Sequence, residues 1–343
     1  MTRIGPTRWK LLSLIPAVGL LGLFVRAAML ASTPAAKVSP ISLGAVDWVG
    51  SLRTAADVTG KGSWAKRFLK AVVGLDERQK AMLTPNGVAV DPQGRILVAD
   101  TKGRVVHVFD PARRKYQTLH PPDRDPFLAP ISVATDAPGR IYVSDSLRSR
   151  VFVFSPQGKY LKALGAVDRE ESIFKRATGI AVDAQRERLY VVDTVAMRIV
   201  EMTLDGKVIR RFGQRGTGQG EFNYPTHITV APDGTVWVAD SLNFRVQHFD
   251  SEGNFLSAFG RMGSAVGDFD KAKGIAVDRE GRIYVVEGRN DRVQVYAPEG
   301  RLLFVFGSTG GGDGQFFLPA GISVDNENHI YVADSYNRRV QMF

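Results

Sequence analysis

The sequence lacks cysteine over its entire length of 343 residues. This absence excludes disulfide bonds, thiolate catalysis, cysteine-bound zinc and lipid attachment to an N-terminal cysteine. Histidine is scarce, and the five histidines form no H-x-x-x-H or H-E-x-x-H pair that would indicate a helical zinc site. They are His107, His120, His227, His248 and His329. The hydrophobic fraction of 44% excludes a disordered chain, and the net charge of +10 allows anionic partners without indicating nucleic acid.

Acidic residues are also missing from the start of the chain, where Asp47 is the first. Three basic residues precede an apolar run over 11–25, and Arg26 ends that run. The three are Arg3, Arg8 and Lys10. A basic flank followed by an apolar stretch is typical of an export segment, so we assign residues 1–36 to export. The segment contains no twin-arginine pair, so it does not indicate export by the Tat route.

Two interpretations of the export segment stay open. It is either a signal peptide, cleaved after Ala27 or further on near Ser32 or Ala36, or an uncleaved anchor over 11–32. Both place the body of the protein outside the cytoplasm, in the periplasm or the extracellular space. The second interpretation also attaches it to the inner membrane.

An internal repeat of about 47 residues runs through the rest of the chain. Six segments of the type GIAVDREGRIYVVE end in an acid, and those acids are spaced by 45, 48, 47, 47 and 47 residues. The acids are Asp100, Asp145, Asp193, Asp240, Glu287 and Asp334. An arginine follows each, and we place the set at Arg104, Arg150, Arg198, Arg245, Arg292 and Arg339. Units of this length and regularity indicate a repeat architecture.

Each unit contains four short strand signals separated by turn residues. In the fourth unit these are HITV, TVWVAD, RVQHFD and NFLSAFG. Four strands per repeat of this length make one propeller blade. The sequence therefore predicts an all-β fold, a monomeric six-bladed β-propeller of four-stranded blades over 85–343. Its repeats start near 85, 130, 177, 225, 272 and 319.

The sixth unit ends at Phe343, after its third strand. An open ring would leave a long unpaired strand edge, so residues 37–84 must supply the missing strand. We expect the closing strand at about 45–52 and a short helix at about 64–73, where Ser63 is a candidate N-cap. The alternative uses the second segment as the closing strand.

The repeated motif P-x-G-I-A-V-D … G-R-I-Y-V-A-D-S-x-N-x-R-V-Q-x-F, followed by F-G-x-x-G-x-G-x-G-x-F, resembles the NHL repeat. The resemblance covers about 85–343. This part of the sequence is similar to NHL-repeat six-bladed propellers, especially those of the exported bacterial type. It implies the fold but not the function, because one propeller architecture serves many roles. The glycine-rich linkers lack G-K-[ST], so we do not interpret them as phosphate loops.

The closing acids admit two interpretations. A ring of carboxylates could bind a metal, but repetition of the aspartate in five of the six units favours a turn cap that accepts backbone N–H groups. The repeated arginine is expected to pair with the acid or to cover the rim of the blade. No metal or other cofactor is therefore expected from these residues.

One face of the propeller, the loop face, carries the loops between second and third strands and the connections between blades. It collects His227, Arg148, Asn243, Arg245, Glu287, Arg289, Asn290, Arg292, Asn337 and Arg338. We predict a non-catalytic envelope module that uses the arginines and asparagines of this face to hold a protein, peptide or glycan. Export argues against a nucleic acid partner, and contact with a membrane would run through the uncleaved segment.

The alternative is a metal-dependent hydrolase or lyase at the mouth of the central channel. His227 stands where four other units have glycine, and Glu287 replaces the aspartate of the other units. An imidazole and a carboxylate near one axis could bind a metal or transfer protons. The enzyme hypothesis therefore depends on this pair.

Overall fold

The protein is described here by a computed structural model that covers residues 41–42, 46–59, 81–165 and 172–343. The predicted export segment 1–36 and the predicted helix 64–73 lie outside these residues. In the described part, no helix is long and apolar enough to cross a membrane.

Six antiparallel sheets of four strands form the body. The innermost strands contact one another in sequence, and the last returns to the first, so the sheets form a closed ring. The predicted all-β, six-bladed propeller of four-stranded blades is confirmed.

Blades 1 to 3 each run outward from the channel in chain order. Blade 1 contains β4 (Pro85–Val90), β5 (Ile96–Asp100), β6 (Val105–Asp110) and β7 (Lys115–Leu119). Blade 2 contains β8 (Pro130–Thr135), β9 (Ile141–Asp145), β10 (Arg150–Phe154) and β11 (Tyr160–Leu164). Blade 3 contains β12 (Ala177–Asp183), β13 (Arg188–Asp193), β14 (Arg198–Thr203) and β15 (Val208–Phe212).

Blades 4 and 5 repeat this order, and blade 6 takes its last strand from elsewhere in the chain. Blade 4 contains β16 (Pro225–Val230), β17 (Val236–Asp240), β18 (Arg245–Phe249) and β19 (Phe255–Phe259), with a 3-10 turn at Ser241–Asn243. Blade 5 contains β20 (Ala272–Val277), β21 (Ile283–Glu287), β22 (Arg292–Tyr296) and β23 (Leu302–Phe306). Blade 6 contains β24 (Ile322–Val324), β25 (Ile330–Asp334) and β26 (Arg339–Met342).

The N-terminal part supplies the fourth strand of blade 6. Strand β3 (Gly50–Leu52) pairs with β26, with Ser51 opposite Gln341. Just before it, β1 (Ile41–Ser42) and β2 (Asp47–Trp48) form a two-stranded sheet, and α1 (Ala56–Thr59) follows. Ring closure therefore joins residues near the two ends of the described chain, and no outer edge of β26 stays unpaired.

Glycine at the start of an inner strand lets neighbouring blades approach closely. A Cβ added to Gly179 would lie 2.6 Å from the carbonyl oxygen of Thr226 and 2.7 Å from the Cα of His227. Real side chains do not tolerate such distances, so the small residue sets the spacing of the inner strands. This explains why four of the six units have glycine at the position of His227.

The hydrophobic core lies between neighbouring blades rather than at the centre of the ring. Six clusters of buried residues each combine two adjacent blades, and one of them joins blade 6 to blade 1. One bulky aromatic position of the second strand is buried in every blade that carries it. Those residues are Tyr142, Tyr190, Trp237, Tyr284 and Tyr331. Each blade therefore depends on its neighbours for burial, as expected of a repeat fold.

Candidate functional site

The closing acid of each blade is a buried cap and not an open ligand. All six of these carboxylates belong to residues with 0% exposure. In blade 4, Asp240 accepts hydrogen bonds from the backbone N–H of Asn223 (2.7 Å), the Nδ2 of Asn243 (2.8 Å) and the Nε of Arg245 (2.9 Å). The acid thus joins the incoming linker, the turn and the third strand. This geometry agrees with the turn-cap interpretation and leaves no open ring of carboxylates.

A hydroxyl that follows the acid connects each of several blades to the next one. Its oxygen donates to the carbonyl of the first residue of the next inner strand over 2.5–2.7 Å. The pairs are Thr101 with Pro130, Thr194 with Pro225, Ser241 with Ala272, and Ser335 with Pro85. The sequence analysis missed this role, although the recurrence of Ser or Thr after the acid was its signal.

Two of the arginines predicted to bind a partner hold the protein's own linkers. Arg245 donates to Asp240 and to the carbonyl oxygens of Thr217 (3.0 Å), Gly218 (2.7 Å) and Glu221 (2.8 Å). Arg292 donates to the carbonyls of Ser264 (3.1 Å) and Ala265 (2.6 Å). Arg245 therefore uses its donors within the fold, whereas the buried Nε of Arg292 has no partner among the described residues. Their assignment as partner-binding residues stays a prediction.

The two turn asparagines are used in the same way. Asn243 donates to the Gly216 carbonyl at 2.9 Å and to Asp240, and Asn337 donates to the Gly310 carbonyl at 2.8 Å and to Asp334.

Arg104 does not lie opposite the closing acid of blade 1, where the sequence placed it. Val105 lies opposite Asp100, and Arg104 precedes Val105 with a φ of 53°. Blade 1 therefore has no arginine at the paired position.

The four other predicted residues differ in how far the fold uses them. Arg148 donates to the Pro126 carbonyl at 3.0 Å and pairs with Asp125 at 3.4 Å, and Arg289 pairs with Asp270 at 3.2 Å while most of its side chain stays exposed. The side chain of Arg338 is exposed and makes no hydrogen bond or ion pair within the described residues. The Nδ2 of Asn290 is buried without a partner there. Three cationic side chains thus stay at the surface of the loop face.

Exposed apolar side chains occupy one loop position in four blades, two residues after the closing acid. These side chains, which we call the apolar set, are Leu147, Val195, Leu242 and Tyr336, with 44–67% of each residue exposed. Blades 1 and 5 carry Lys102 and Arg289 at this position. The outer strands carry a second recurring position of this kind, with Leu161, Ile209, Leu256 and Leu303 exposed by 36–49%. The apolar set differs from it in lying beside the turn arginines of the loop face. The apolar set was not predicted from the sequence, because the polar residues of the turns were the only candidates there.

The mouth of the channel contains His227 but does not pair it with Glu287. The channel is a cavity of about 230 Å³ lined by the inner strands, including His227. Burial and the nearby ammonium of Lys273 lower the pKa of His227 to about 4, so the ring is neutral at pH 7. Both of its nitrogens are buried without a hydrogen-bond partner among the described residues.

Glu287 has the capping role of the other acids. Its carboxylate accepts the backbone N–H groups of Asp270 (2.8 Å), Lys271 (2.7 Å) and Arg289 (3.3 Å), and burial raises its pKa. Within the described residues, no three His, Asp or Glu side chains are grouped as metal ligands. No hydrogen bond or ion pair joins His227 to Glu287 in this part of the chain, and the Glu287 carboxylate is used by three backbone N–H groups.

Comparisons with known proteins agree with this architecture. Residues 82–109, 222–249 and 318–343 match the NHL repeat, and residues 123–211 match a family described as a 6-bladed beta-propeller. No curated protein sequence matches the chain.

Several solved structures share the fold. Virginiamycin B lyase from Staphylococcus aureus is 15% identical with a TM-score of 0.56, over 76% of this chain and 94% of that one. An auxiliary nutrient binding protein from Bacteroides thetaiotaomicron is 11% identical with a TM-score of 0.60, over 76% and 69%. A gluconolactonase from Xanthomonas campestris is 15% identical with a TM-score of 0.56, over 76% and 86%. At these identities the likeness concerns the fold alone, which supports enzymes and binding proteins alike. The chain therefore contains NHL repeats and folds as a six-bladed β-propeller.

Proposed function

We propose that this propeller is a non-catalytic binding module of the cell envelope that holds a protein or peptide on its loop face. The apolar set carries the proposal, because four blades present an exposed apolar side chain at the same loop position. Aliphatic side chains gain free energy when a partner covers them. Three of the four members, Leu147, Val195 and Leu242, are aliphatic, and they favour a polypeptide over a glycan, which would need several planar aromatic platforms.

The positive charge of the loop face favours acidic partners. Arg148, Arg289 and Arg338 lie in the same turns as members of the apolar set or at the equivalent position. Cations around an apolar contact attract acidic partners and speed their association. We therefore expect a partner with acidic residues beside an apolar patch.

The location in the envelope rests on the sequence of residues 1–36, with its basic flank and apolar run. The enzymatic alternative has less support, because Glu287 accepts three backbone N–H groups and no hydrogen bond or ion pair joins it to His227 within the described residues. No described group of acids and histidines could hold the metal that this alternative requires.

Photo-crosslinking tests the proposal with a matched control in one blade. Leu242 on the loop face and Leu256 on the outer rim belong to blade 4 and are 48% and 49% exposed. A benzophenone amino acid replaces one or the other in the full chain, expressed in its own cell envelope. We expect a discrete protein adduct from position 242 and none from 256, because the loop face combines its exposed apolar side chains with the arginines Arg148, Arg289 and Arg338, whereas the outer strand that contains Leu256 has no charged residue.

Mass spectrometry identifies the adduct, and placement of the same probe at Tyr336 should yield the same partner. Equal labelling from both leucine positions, or labelling from 256 alone, would contradict the proposal. An adduct without peptide would assign the face to a glycan instead.

A further inference from the structure

Blade 1 differs from blades 2 to 5 in how its outer strand pairs. In blades 2 to 5 the pairing of the third and fourth strands shifts by one residue, and the extra residue of the fourth strand forms a β-bulge. These extra residues are Leu161, Ile209, Leu256 and Leu303, the exposed apolar residues of the outer strands. In blade 1, β7 pairs with β6 along its whole length without a shift. The outer edge of blade 1 is therefore regular, whereas those of blades 2 to 5 are interrupted.

The extra residue of blade 1 lies in the turn before β7 instead. The same number of residues separates the paired positions Val106 and Leu119 as separates the corresponding pairs of blades 2 to 5. The longer turn places Arg114 at a φ of 52°, where those blades have a glycine with positive φ. The glycines are Gly158, Gly206, Gly253 and Gly300. Arg113 precedes Arg114, at a position that is glutamine, aspartate or glutamate in blades 2 to 5. Blade 1 thus carries two cations where those blades carry none.

The outer edge of β7 has no partner strand in the part of the chain that the structure describes. β7 is the last strand of its sheet, and the backbone groups of Lys115–Leu119 form no hydrogen bond there besides those to β6. Lys115 and Gln117 are exposed. They line a cavity of about 810 Å³ together with Thr59 of α1 and Pro156 of blade 2. A regular unpaired edge is a template on which an extended peptide can add a strand.

The charge beside this edge indicates which kind of peptide fits it. Arg113, Arg114 and Lys115 are consecutive and exposed, and all three line the cavity. The acid Asp110 also lines it and pairs with Arg113 at 3.1 Å. The chain's own segment 60–80, which follows α1 in the sequence, has an excess of basic residues, so like charge disfavours it as the occupant. A peptide with acidic side chains complements the three cations.

We propose that the outer edge of β7 binds an extended acidic peptide, which pairs with it as a fifth strand of blade 1. The backbone of β7 supplies the hydrogen bonds, and the three cations select acidic side chains. The bulges interrupt the corresponding edges of blades 2 to 5, and the outer strand of blade 6 has only the three residues of β3. The turn before β7 lies on the opposite face from the loop face, so this site does not depend on the proposed function.

Hydrogen exchange of the full chain, measured by mass spectrometry at single-residue resolution, tests the site with a defined probe. The probe is a short blocked peptide of alternating glutamate and valine. With the probe at about ten times its Kd, we expect about tenfold slower exchange at the alternate amides of Lys115–Leu119 that point away from β6. The amides of β15 in the same sample should not change, because a bulge interrupts that edge.

Two further comparisons separate strand pairing from charge attraction. A probe with N-methyl groups on alternate amides keeps its charge but cannot pair, so it should slow no exchange. Arg113→Gln with Arg114→Gly gives the turn the residue types of blade 2, and glycine suits the positive φ. This double variant should bind the probe about twofold to fivefold more weakly for each charge removed. Arg124→Gln removes an exposed charge from the connection to blade 2 and should bind as the parent chain does.

Several outcomes would overturn the site. Unchanged exchange in β7, equal slowing in β15, or equal slowing by the N-methylated probe would refute strand addition. Tighter binding of a lysine and valine peptide would refute the acidic preference. Exchange in β7 that is as slow without the probe as at the amides bonded to β6 would show that another segment of this chain covers the edge. Slowing that depends on protein concentration would assign the edge to a second copy instead.

Discussion

Arg338 and Arg339 are neighbours in the sequence with opposite environments. Arg339 is fully buried, pairs with Asp334 at 2.7 Å and donates to the carbonyls of Gly312 and Gln315. Arg338 has a φ of 54° and an exposed side chain. The same residue type therefore holds the linker in one position and remains available to a partner in the next.

Replacement of these two arginines separates structural from binding roles. Arg339→Met leaves Asp334 as a buried charge with one partner fewer, and we expect unfolding free energy to fall by about 3–5 kcal/mol. Arg338→Met should change it by less than about 0.5 kcal/mol. Urea unfolding of both variants measures the difference. Equal losses would show that Arg339 is not the linker residue described here.

Among the secondary-structure elements, the N-terminal strands have a special position because they complete blade 6. Trp48 of β2 is buried against blades 5 and 6 and packs in one cluster with Phe316 and Phe343. Its Nε1 donates to the Oε1 of Gln341 at 3.0 Å, and the same oxygen accepts the Gly314 N–H at 3.0 Å. Trp48 thereby connects the closing segment to the glycine-rich linker of the last blade.

This connection makes Trp48 a test of ring closure. Trp48→Ala removes a large buried ring and a hydrogen bond, so we expect a loss of about 3–5 kcal/mol in unfolding free energy. Val49→Ala, at the exposed neighbour, should cost less than about 0.5 kcal/mol. Thermal and urea unfolding measure both. A Trp48→Ala chain as stable as the parent would show that blade 6 does not depend on the N-terminal segment.

For the whole molecule, protonation of buried groups couples net stability to pH. The pKa of His227 falls from 6.5 to about 4 in the folded protein, because burial and Lys273 disfavour the charged ring. Between those two pH values the unfolded chain binds a proton at this residue that the folded protein does not. Stability therefore decreases as pH falls through this window, before most carboxylates titrate.

We expect the unfolding free energy to fall by up to about 3 kcal/mol between pH 7 and pH 4 through His227 alone. His227→Gln removes the titrating group and should flatten this part of the pH profile. Urea unfolding at pH 7, 5.5 and 4.5 gives the profile, and NMR titration of the ring gives the pKa directly. A ring that titrates near pH 6.5, or a variant with the same slope, would refute the assignment.

The repeat made the fold predictable from the sequence. Six acids at nearly constant spacing, four strand signals per unit and an unfinished sixth unit indicated a closed propeller. The aromatic position of the second strand, as in Tyr142, recurs in the sequence of five units, and its residues are buried between blades. These features follow from two patterns that the sequence shows directly: alternation of residues within each strand and repetition of the 47-residue unit along the chain.

The site was predictable only in part. Position alone could not show that Arg245 and Arg292 point their donors at carbonyls of the preceding linkers, some 24–28 residues earlier. Nor could it show that Glu287 is used as a cap or that Leu242 is exposed. Such contacts join residues from different loops, and their partners are set by the closure of the ring.

The sequence by itself determined the number of blades, their strand content and the residues that cap each turn, because these follow from local pattern and from repetition. Only the tertiary structure decided which of the chemically similar side chains stay free. Arg338 differs from Arg339 through neighbours brought together across blades. This difference decides which side chains can bind a partner, since a buried and hydrogen-bonded group has no donors left for one.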